Sequence, residues 1–260
     1  MSHSRALIDG DIVAYRAASV TDGRQYIVQF DGNREEVFKY KKDADFRAVE
    51  VEGSVTLTFV PEPVQNAYFI CAKLMEKILS DTEVETQQTY LSVGGSFRNR
   101  LVESYKMNRT GVRLPEHLNA CKKYLEKHYD ATSEPGEYEA DDLMAMDSVL
   151  GETIICSVDK DLRQIQGHHY NITSGAITWV DEEESWRNFY SQLLTGDSTD
   201  GIVGLKGVGP KTAEKILKGC HTAREMYDAV LTKWGDREQM MLTAQLLYLV
   251  RDRGVFYEGF

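Results

Sequence analysis

The sequence lacks what several large protein classes require. No apolar run approaches the roughly 20 residues that a membrane-spanning helix needs, and Met1 to Arg5 carries no signal-peptide apolar region. Both set the expectation of a cytoplasmic protein without a membrane partner. Cysteine is scarce: Cys71, Cys121, Cys156 and Cys220 lie far apart with no CxxC spacing. They read as reduced core thiols, which excludes a disulfide frame and a zinc site. Internal repeats and low-complexity segments are absent. Positive charge is also short, with 30 Lys and Arg against 41 Asp and Glu and a net charge of −11. That argues at first against a nucleic-acid partner, because phosphate binding draws mainly on Lys and Arg. Acidic residues clustered for metals reverse the local field once ions bind, so distribution outweighs the sum.

What is present suits a sizeable core: 260 residues, 42% of them hydrophobic, predict one large domain or one domain with a small lobe. Ala6-Leu7-Ile8 reads as a buried strand ending at Asp9-Gly10-Asp11. Alternation from Gln25 to Tyr40, broken at Asp31-Gly32-Asn33, reads as a hairpin, and Val49 to Val60 adds a strand. Pro63 opens an amphipathic helix carrying Ala67, Cys71, Leu74, Met75 and Ile78 on one stripe. Thr89 to Val93 predicts a strand, Pro115 to Tyr129 a basic helix and Tyr138 to Leu150 another helix. Thr153 to Val158, His169 to Ile172 and Ala176 to Val180 predict strands, Glu183 to Leu194 a helix, and the remainder is helical. This alternation implies a largely parallel α/β sheet followed by a helical lobe.

Carboxylates gather where such a sheet places its sites, beyond the carboxyl ends of strands. Asp9 and Asp11 follow the first strand, and Asp159 and Asp161 follow Thr153–Val158. Glu139, Asp141 and Asp142 open a helix, with Glu139 and Asp142 on one face. Asp197 and Asp200 follow another helix. Each group alone reads as a turn, a cap or a solvated surface. Four together repel unless a cation lies between them. Oxygen ligands without His or Cys point to Mg²⁺ or Mn²⁺, and two ions about 4 Å apart suit in-line attack on a phosphodiester.

Lysines cluster in the segment Gly204-Leu205-Lys206-Gly207-Val208-Gly209-Pro210-Lys211-Thr212-Ala213-Glu214-Lys215. The glycines permit a tight turn and Pro210 suits the start of a helix, whose N–H groups can cradle a phosphate beside Lys206, Lys211 and Lys215. A plain helix connection is the bland alternative. Lys106 and Arg109, in Tyr105-Lys106-Met107-Asn108-Arg109, can reach one phosphate together. A basic stretch follows through Arg113, Lys122 and Lys123, candidates for contact with DNA. It reads either as a solvated face or as a mobile cover over the site.

The order Asp9-Gly10, Tyr105-Lys106-x-x-Arg109, Glu139-Ala140-Asp141-Asp142, Asp159-Lys160-Asp161, Gly196-Asp197-x-x-Asp200 and Gly207-x-Gly209-Pro210 resembles the flap endonuclease superfamily. It is similar to phage 5′→3′ exonucleases and to the 5′-nuclease domain of bacterial DNA polymerase I. The resemblance covers Arg5–Tyr15 and roughly Thr89–Gly219. It implies an α/β, PIN-like nuclease core over 1–195, with an inserted β-segment at 24–60 and a helical arch at 110–138. A helix–three-turn–helix lobe over 196–260 would grip duplex DNA, with Lys206, Gly207, Gly209, Lys211, Thr212 and Lys215 in the grip and often a K⁺ ion. Asp9, Glu139, Asp141, Asp142, Asp159, Asp161, Asp197 and Asp200 would be metal ligands. Lys106 and Arg109 would steady the scissile phosphate, and Tyr105 would stack on a terminal base.

The implied reaction is 5′→3′ exonucleolytic and flap-endonucleolytic hydrolysis of DNA by a metal-activated water. The partners would be duplexes with a 5′ end or flap, and RNA–DNA hybrids at primers. The chain would act as a monomer, in a host cytoplasm if it comes from a phage. One position departs from the pattern. The family usually carries another metal-site Asp just before Phe97-Arg98, where this chain reads Ser92-Val93-Gly94-Gly95-Ser96. Asp11 can compensate only if the chain turns at Gly10, since alternate residues of a strand point to opposite faces. The alternatives are a structure-specific DNA-binding protein with impaired catalysis and a PIN-type ribonuclease.

Overall fold

The structure, a computed structural model, describes residues 4–32 and 34–260. Met1 at the start of the N-terminal stretch and Asn33 of the hairpin turn lie outside them. In chain order the elements are β1 (Arg5–Asp9), α1 (Gly10–Val20), β2 (Asp22–Phe30), β3 (Arg34–Phe38), α2 (Lys41–Glu50), β4 (Ser54–Pro61) and α3 (Val64–Thr82). Then come β5 (Thr86–Tyr90), α4 (Phe97–Leu101), α5 (Leu118–Tyr129), α6 (Ala140–Met146), β6 (Thr153–Ser157), β7 (Gly167–Asn171) and β8 (Ile177–Val180). The rest is α7 (Glu182–Thr195), β9 (Gly196–Asp197), β10 (Ile202–Val203), α8 (Pro210–Leu217), α9 (Ala223–Trp234) and α10 (Arg237–Leu247).

The main sheet has the order β5-β1-β6-β7-β8, parallel except for the antiparallel edge strand β8. Its central strands are buried on both faces, which is why they read as unbroken apolar runs. Ala6, Ile8, Ile154 and Cys156 pack against α1, α3 and α5, while Leu7 and Ile155 pack with α6 on the other face. The stripe on α3 is buried at Ala67, Cys71, Met75 and Ile78. Full burial of side chains such as Met75 and Ile78 contributes about 1.5–3 kcal/mol each. Among the described residues no helix is long and apolar enough to cross a membrane.

Three expectations shift. The strand expected at Thr89–Val93 begins at Thr86, because Thr86–Tyr90 pair one for one with Arg5–Asp9; the chain leaves the sheet before Ser92. The strand expected at Val49–Val60 is preceded by α2, whose Ala44 and Ala48 bury against Val28, so β2, β3, β4 and α2 form a module with its own small core. The boundary placed at 195/196 falls inside one packed unit. Phe189, Tyr190, Leu193 and Leu194 of α7 share a core with α8, α9 and α10.

Candidate active site

A cleft of about 240 Å³ opens at the carboxyl ends of β5, β1 and β6, lined by Asp9, Asp11, Glu139, Asp141, Asp159, Asp161, Asp197 and Asp200. Ser92, Lys106, Arg109, Lys160 and Thr199 share its wall. Asp9 ends β1 and caps α1: one oxygen accepts from the Ile12 N–H at 3.1 Å, the other from Ser157 Oγ at 2.6 Å. Ser157 Oγ accepts from the Asp159 N–H at 3.0 Å, and Asp159 accepts from the Asp161 N–H at 2.9 Å. The chain becomes helical at Gly10, so Asp11 stands in the first turn of α1 and lines the same cleft as Asp9. A Cβ at Gly10 would lie 2.7 Å from the Tyr90 carbonyl oxygen, so the close start of α1 against β5 requires glycine.

The far wall comes from α6 and the turn after α7. Glu139 caps α6 and Asp141 lies in its first turn. Asp197 accepts from the N–H groups of Thr199 at 2.7 Å and Asp200 at 3.3 Å. That turn is tight because Gly196 and Gly204 back onto each other, where a Cβ on either would strike the other's nitrogen.

Gathering these acids inside the protein raises their hold on protons. Burial, with Asp11 and Asp159 adding repulsion, pushes Asp9 up to about 7 although the Ser157 and Ile12 bonds oppose it. Burial and the charges of Asp159 and Asp197 push Asp161 up to about 7. Asp141 is raised well above the carboxylate range by burial and by Asp9 and Asp159. Asp197 goes the other way: burial pushes it up, but the Thr199 and Asp200 N–H groups and Lys160 outweigh it.

Cationic side chains intrude between the acids. Lys106 lies 2.8 Å from Glu139 and 3.4 Å from Asp200, Arg109 pairs with Asp200, and Lys160 lies 3.4 Å from Asp197. Among the described residues no three His, Cys, Asp or Glu side chains form a finished metal cage. The donor set nonetheless fits a hard divalent cation. It is all oxygen, and a cation would offset the burial and repulsion that raise the proton affinity of Asp9, Asp141 and Asp161.

Several expected site residues serve elsewhere. Asp142 is buried outside the cleft, accepting two bonds from Arg98, at 2.6 and 2.8 Å, and the N–H groups of Val250 and Glu139. It is a structural anchor, because its oxygens are already occupied. Tyr105 is buried, with its hydroxyl on Glu139 and Asp200 at 3.1 Å each, so its ring is not free to stack on a base. Arg113 is bound to Asp22 and lies over the Phe59 ring, 3.6 Å from its centroid. The expected arch is docked over part of its length: α5 buries Leu118, Cys121 and Leu125 against α1 and α3. Its Lys122 turns into the site, 2.6 Å from Asp11, whereas Lys123 is exposed. Lys206, Gly207, Gly209, Lys211, Thr212 and Lys215 are all exposed around the start of α8, with Gly209 as its N-cap and Pro210 at its first position.

The supporting residues were not singled out from sequence. Ser157 holds Asp9, Gln192 holds Asp161 at 2.6 Å, and buried Arg98 ties α4 to the Leu246 and Tyr248 carbonyls beyond. Ser157 carried a signal, as the last residue of β6 before Asp159. Gln192 carried none, since a polar residue on α7 reads as solvated.

The family model of the 5′-3′ exonuclease, N-terminal resolvase-like domain, matches residues 58–190, half of the chain. The chain belongs to this family. Flap endonuclease Xni of Shewanella piezotolerans is 32% identical over 151 residues, covering 52% of this chain and 59% of Xni. DNA polymerase I of Deinococcus radiodurans is 31% identical over 152 residues, covering 52% of this chain and 16% of the polymerase. The exonuclease-family chain thus spans little more than half of the one and a small part of the other. Its fold matches that of the bacteriophage T5 flap endonuclease solved in a pseudo-enzyme-product complex with DNA and metal ions. The TM-score is 0.62 at 14% identity, over 95% of this chain and 89% of that one. The matched span holds Lys106, Arg109, Glu139, Asp141, Asp159 and Asp161; the fold brings Asp9, Asp11, Asp197 and Asp200 to them from outside it.

Proposed function

We propose that this chain hydrolyses DNA phosphodiesters at 5′ ends and 5′ flaps with the help of a divalent cation. The carboxylate cleft at the ends of β5, β1 and β6 carries the reading, because so many like charges gathered in one place are costly without a cation. Asp9, Glu139, Asp141, Asp159, Asp161, Asp197 and Asp200 would hold Mg²⁺ or Mn²⁺. When bound, the cation supplies Lewis acidity and an activated water.

Lys106 and Arg109 stand at the cleft mouth, paired with Glu139 and Asp200, and can exchange those partners for a substrate phosphate. The exposed start of α8 offers N–H groups and Lys206, Lys211 and Lys215 to the backbone of a duplex. We retain a nuclease core with the inserted segment 24–60 and a DNA-gripping helical lobe, and count α7 with the lobe because it shares the lobe's core.

Labelled 5′-flap, nicked and single-stranded DNA, incubated with Mg²⁺ or with EDTA, tests the reading. Loss of label from 5′ ends in Mg²⁺ alone supports it. Duplex binding without cleavage in any divalent metal favours a binding protein with impaired catalysis, a reading motivated by the missing carboxylate at Ser92–Ser96. Replacing K⁺ by Na⁺, and the DNA 5′ segment by RNA, tests the K⁺ ion of the lobe and the hybrid substrate.

A further inference from the structure

The edge of the cleft between Asp11 and Ser92 adjoins the Ser92–Ser96 loop, which has no carboxylate, and there the chain has placed an ammonium group. Lys122 Nζ lies 2.6 Å from Asp11 Oδ1 and donates to the Ser92 carbonyl at 2.9 Å. The other Asp11 oxygen accepts from the Ser92 N–H at 2.8 Å. Three groups from α1, α5 and the loop after β5 thus close a small circuit. Both charged side chains are largely sheltered, Lys122 at 23% and Asp11 at 28% exposure.

The lysine is not a stray surface charge. It sits beside Cys121, which is fully buried with Leu125 in the main core, so α5 cannot shift without opening that core. The helix therefore presents the ammonium from a fixed base. A fixed positive charge on Asp11 repels a divalent ion approaching the same edge, and the Ser92–Ser96 loop offers no second carboxylate to overcome that repulsion.

We infer that Lys122 is a built-in cation that takes the place of a divalent ion at the Asp11–Ser92 edge. Asp11 is then the partner of Lys122 and not a metal ligand. The cleft binds its divalent cation through the remaining acids, so one of the two ions that suit phosphodiester attack is replaced by a side chain. This rests on the nuclease reading of the cleft.

Counting Mn²⁺ by calorimetry and electron paramagnetic resonance on the full chain tests it without reference to activity. Asp11→Asn is expected to bind as many Mn²⁺ as the unaltered chain. Lys122→Met is expected to tighten Mn²⁺ binding by about tenfold or more, because a like charge has left the cleft. Lys122→Arg, which keeps the charge, should leave the count unchanged and serves if the Met variant fails to fold. Ser92→Asp alone should add no ion, since Lys122 neutralises it, whereas Ser92→Asp with Lys122→Met should add one. Loss of a bound Mn²⁺ in Asp11→Asn would make Asp11 a ligand and overturn the inference, as would unchanged affinity in a folded Lys122→Met. Failure of every variant, and of the unaltered chain, to bind Mn²⁺ would remove the nuclease reading itself and this inference with it.

Discussion

Ser157 donates from Oγ to Asp9 Oδ2 over 2.6 Å, joining the ends of neighbouring parallel strands at the floor of the cleft. The bond favours the charged form of an acid that burial otherwise drives toward protonation. Ser157→Ala is therefore expected to raise the proton affinity of Asp9 further and to weaken Mn²⁺ binding by about 10–100-fold, the usual cost of losing a group that supports a ligand. Calorimetric titration of the two proteins at one pH measures it. Equal affinities would mean that Ser157 only fills space.

The raised acids also set how stability depends on pH. Asp9 and Asp161 move from 3.8 to about 7 in the folded chain. Between those values the folded chain holds protons that the unfolded chain has released, so stability falls as pH rises through that window. Asp22 and Glu134, held below the ordinary range by Arg113 and Arg253, act in the opposite sense and only at the acid end. In EDTA the melting temperature should drop from roughly pH 4 to pH 7, and Mg²⁺ should abolish most of that drop. A melting temperature that does not change with pH in EDTA would contradict the burial argument.

Asp142 and Asp159 should separate structural from chemical acids. Asp142→Asn leaves the buried Arg98 guanidinium with only Glu139, 3.7 Å away, as counter-charge, and breaking a buried pair costs about 3–5 kcal/mol. Denaturant unfolding should show a loss of that order, with Mn²⁺ affinity in the folded fraction unchanged. Asp159→Asn, and likewise Asp197→Asn, should abolish cleavage while duplex binding survives. Cleavage at the ordinary rate in both of these would sink their assignment.

The strand ends were legible in the sequence for a physical reason. A buried parallel strand is an apolar run, and the first polar residues after it must face the sheet's open edge, as Asp9 and Asp159 do. Which acid of Glu139, Asp141 and Asp142 faces inward was not legible. That depends on Arg98 arriving from α4 to claim Asp142, a contact between residues 44 apart in sequence. The same holds for Lys122, whose spacing on a charged helix predicts a solvated face; only the docking of α5 through Leu118, Cys121 and Leu125 turns it inward. Helix α2 was missed because Ala44 and Ala48 are too small a stripe to stand out between alternating strands.

Lys211 and Lys215 are exposed on α8 beside the turn at Gly207 and Gly209. If both touch phosphates, each alanine substitution should lower the slope of log affinity against log salt by roughly 0.9. Mn²⁺ binding should be unaffected. Fluorescence anisotropy on a duplex across a salt series measures the slope, and an unchanged value would remove α8 from the DNA-binding surface.

The segment between Arg109 and α5 is bracketed by the inserted module, and this connects a distant β-sheet to the cleft. Arg113 binds Asp22 at the start of β2, stacks over Phe59 of β4, and His117 Nε2 lies 2.6 Å from the Glu62 carbonyl oxygen. The segment runs from one cleft residue, Arg109, to the helix that carries another, Lys122. Val112 and Leu114 within it are exposed at 61% and 59%, so over 110–114 its order depends on the bracket more than on burial of its own side chains. Arg113→Ala should free it, because both the bidentate pair and the ring contact are lost together. Chymotryptic cleavage at Leu114 should then accelerate several-fold while the global melting temperature hardly moves, since local opening is distinct from unfolding. Arg113→Lys should fall between, because an ammonium keeps the charge but neither the fork nor the stack. The flap cleavage rate should fall with the freed segment if the bracket holds Arg109 and Lys122 in register. An unchanged proteolysis rate in Arg113→Ala would show that the segment is ordered by something other than the module.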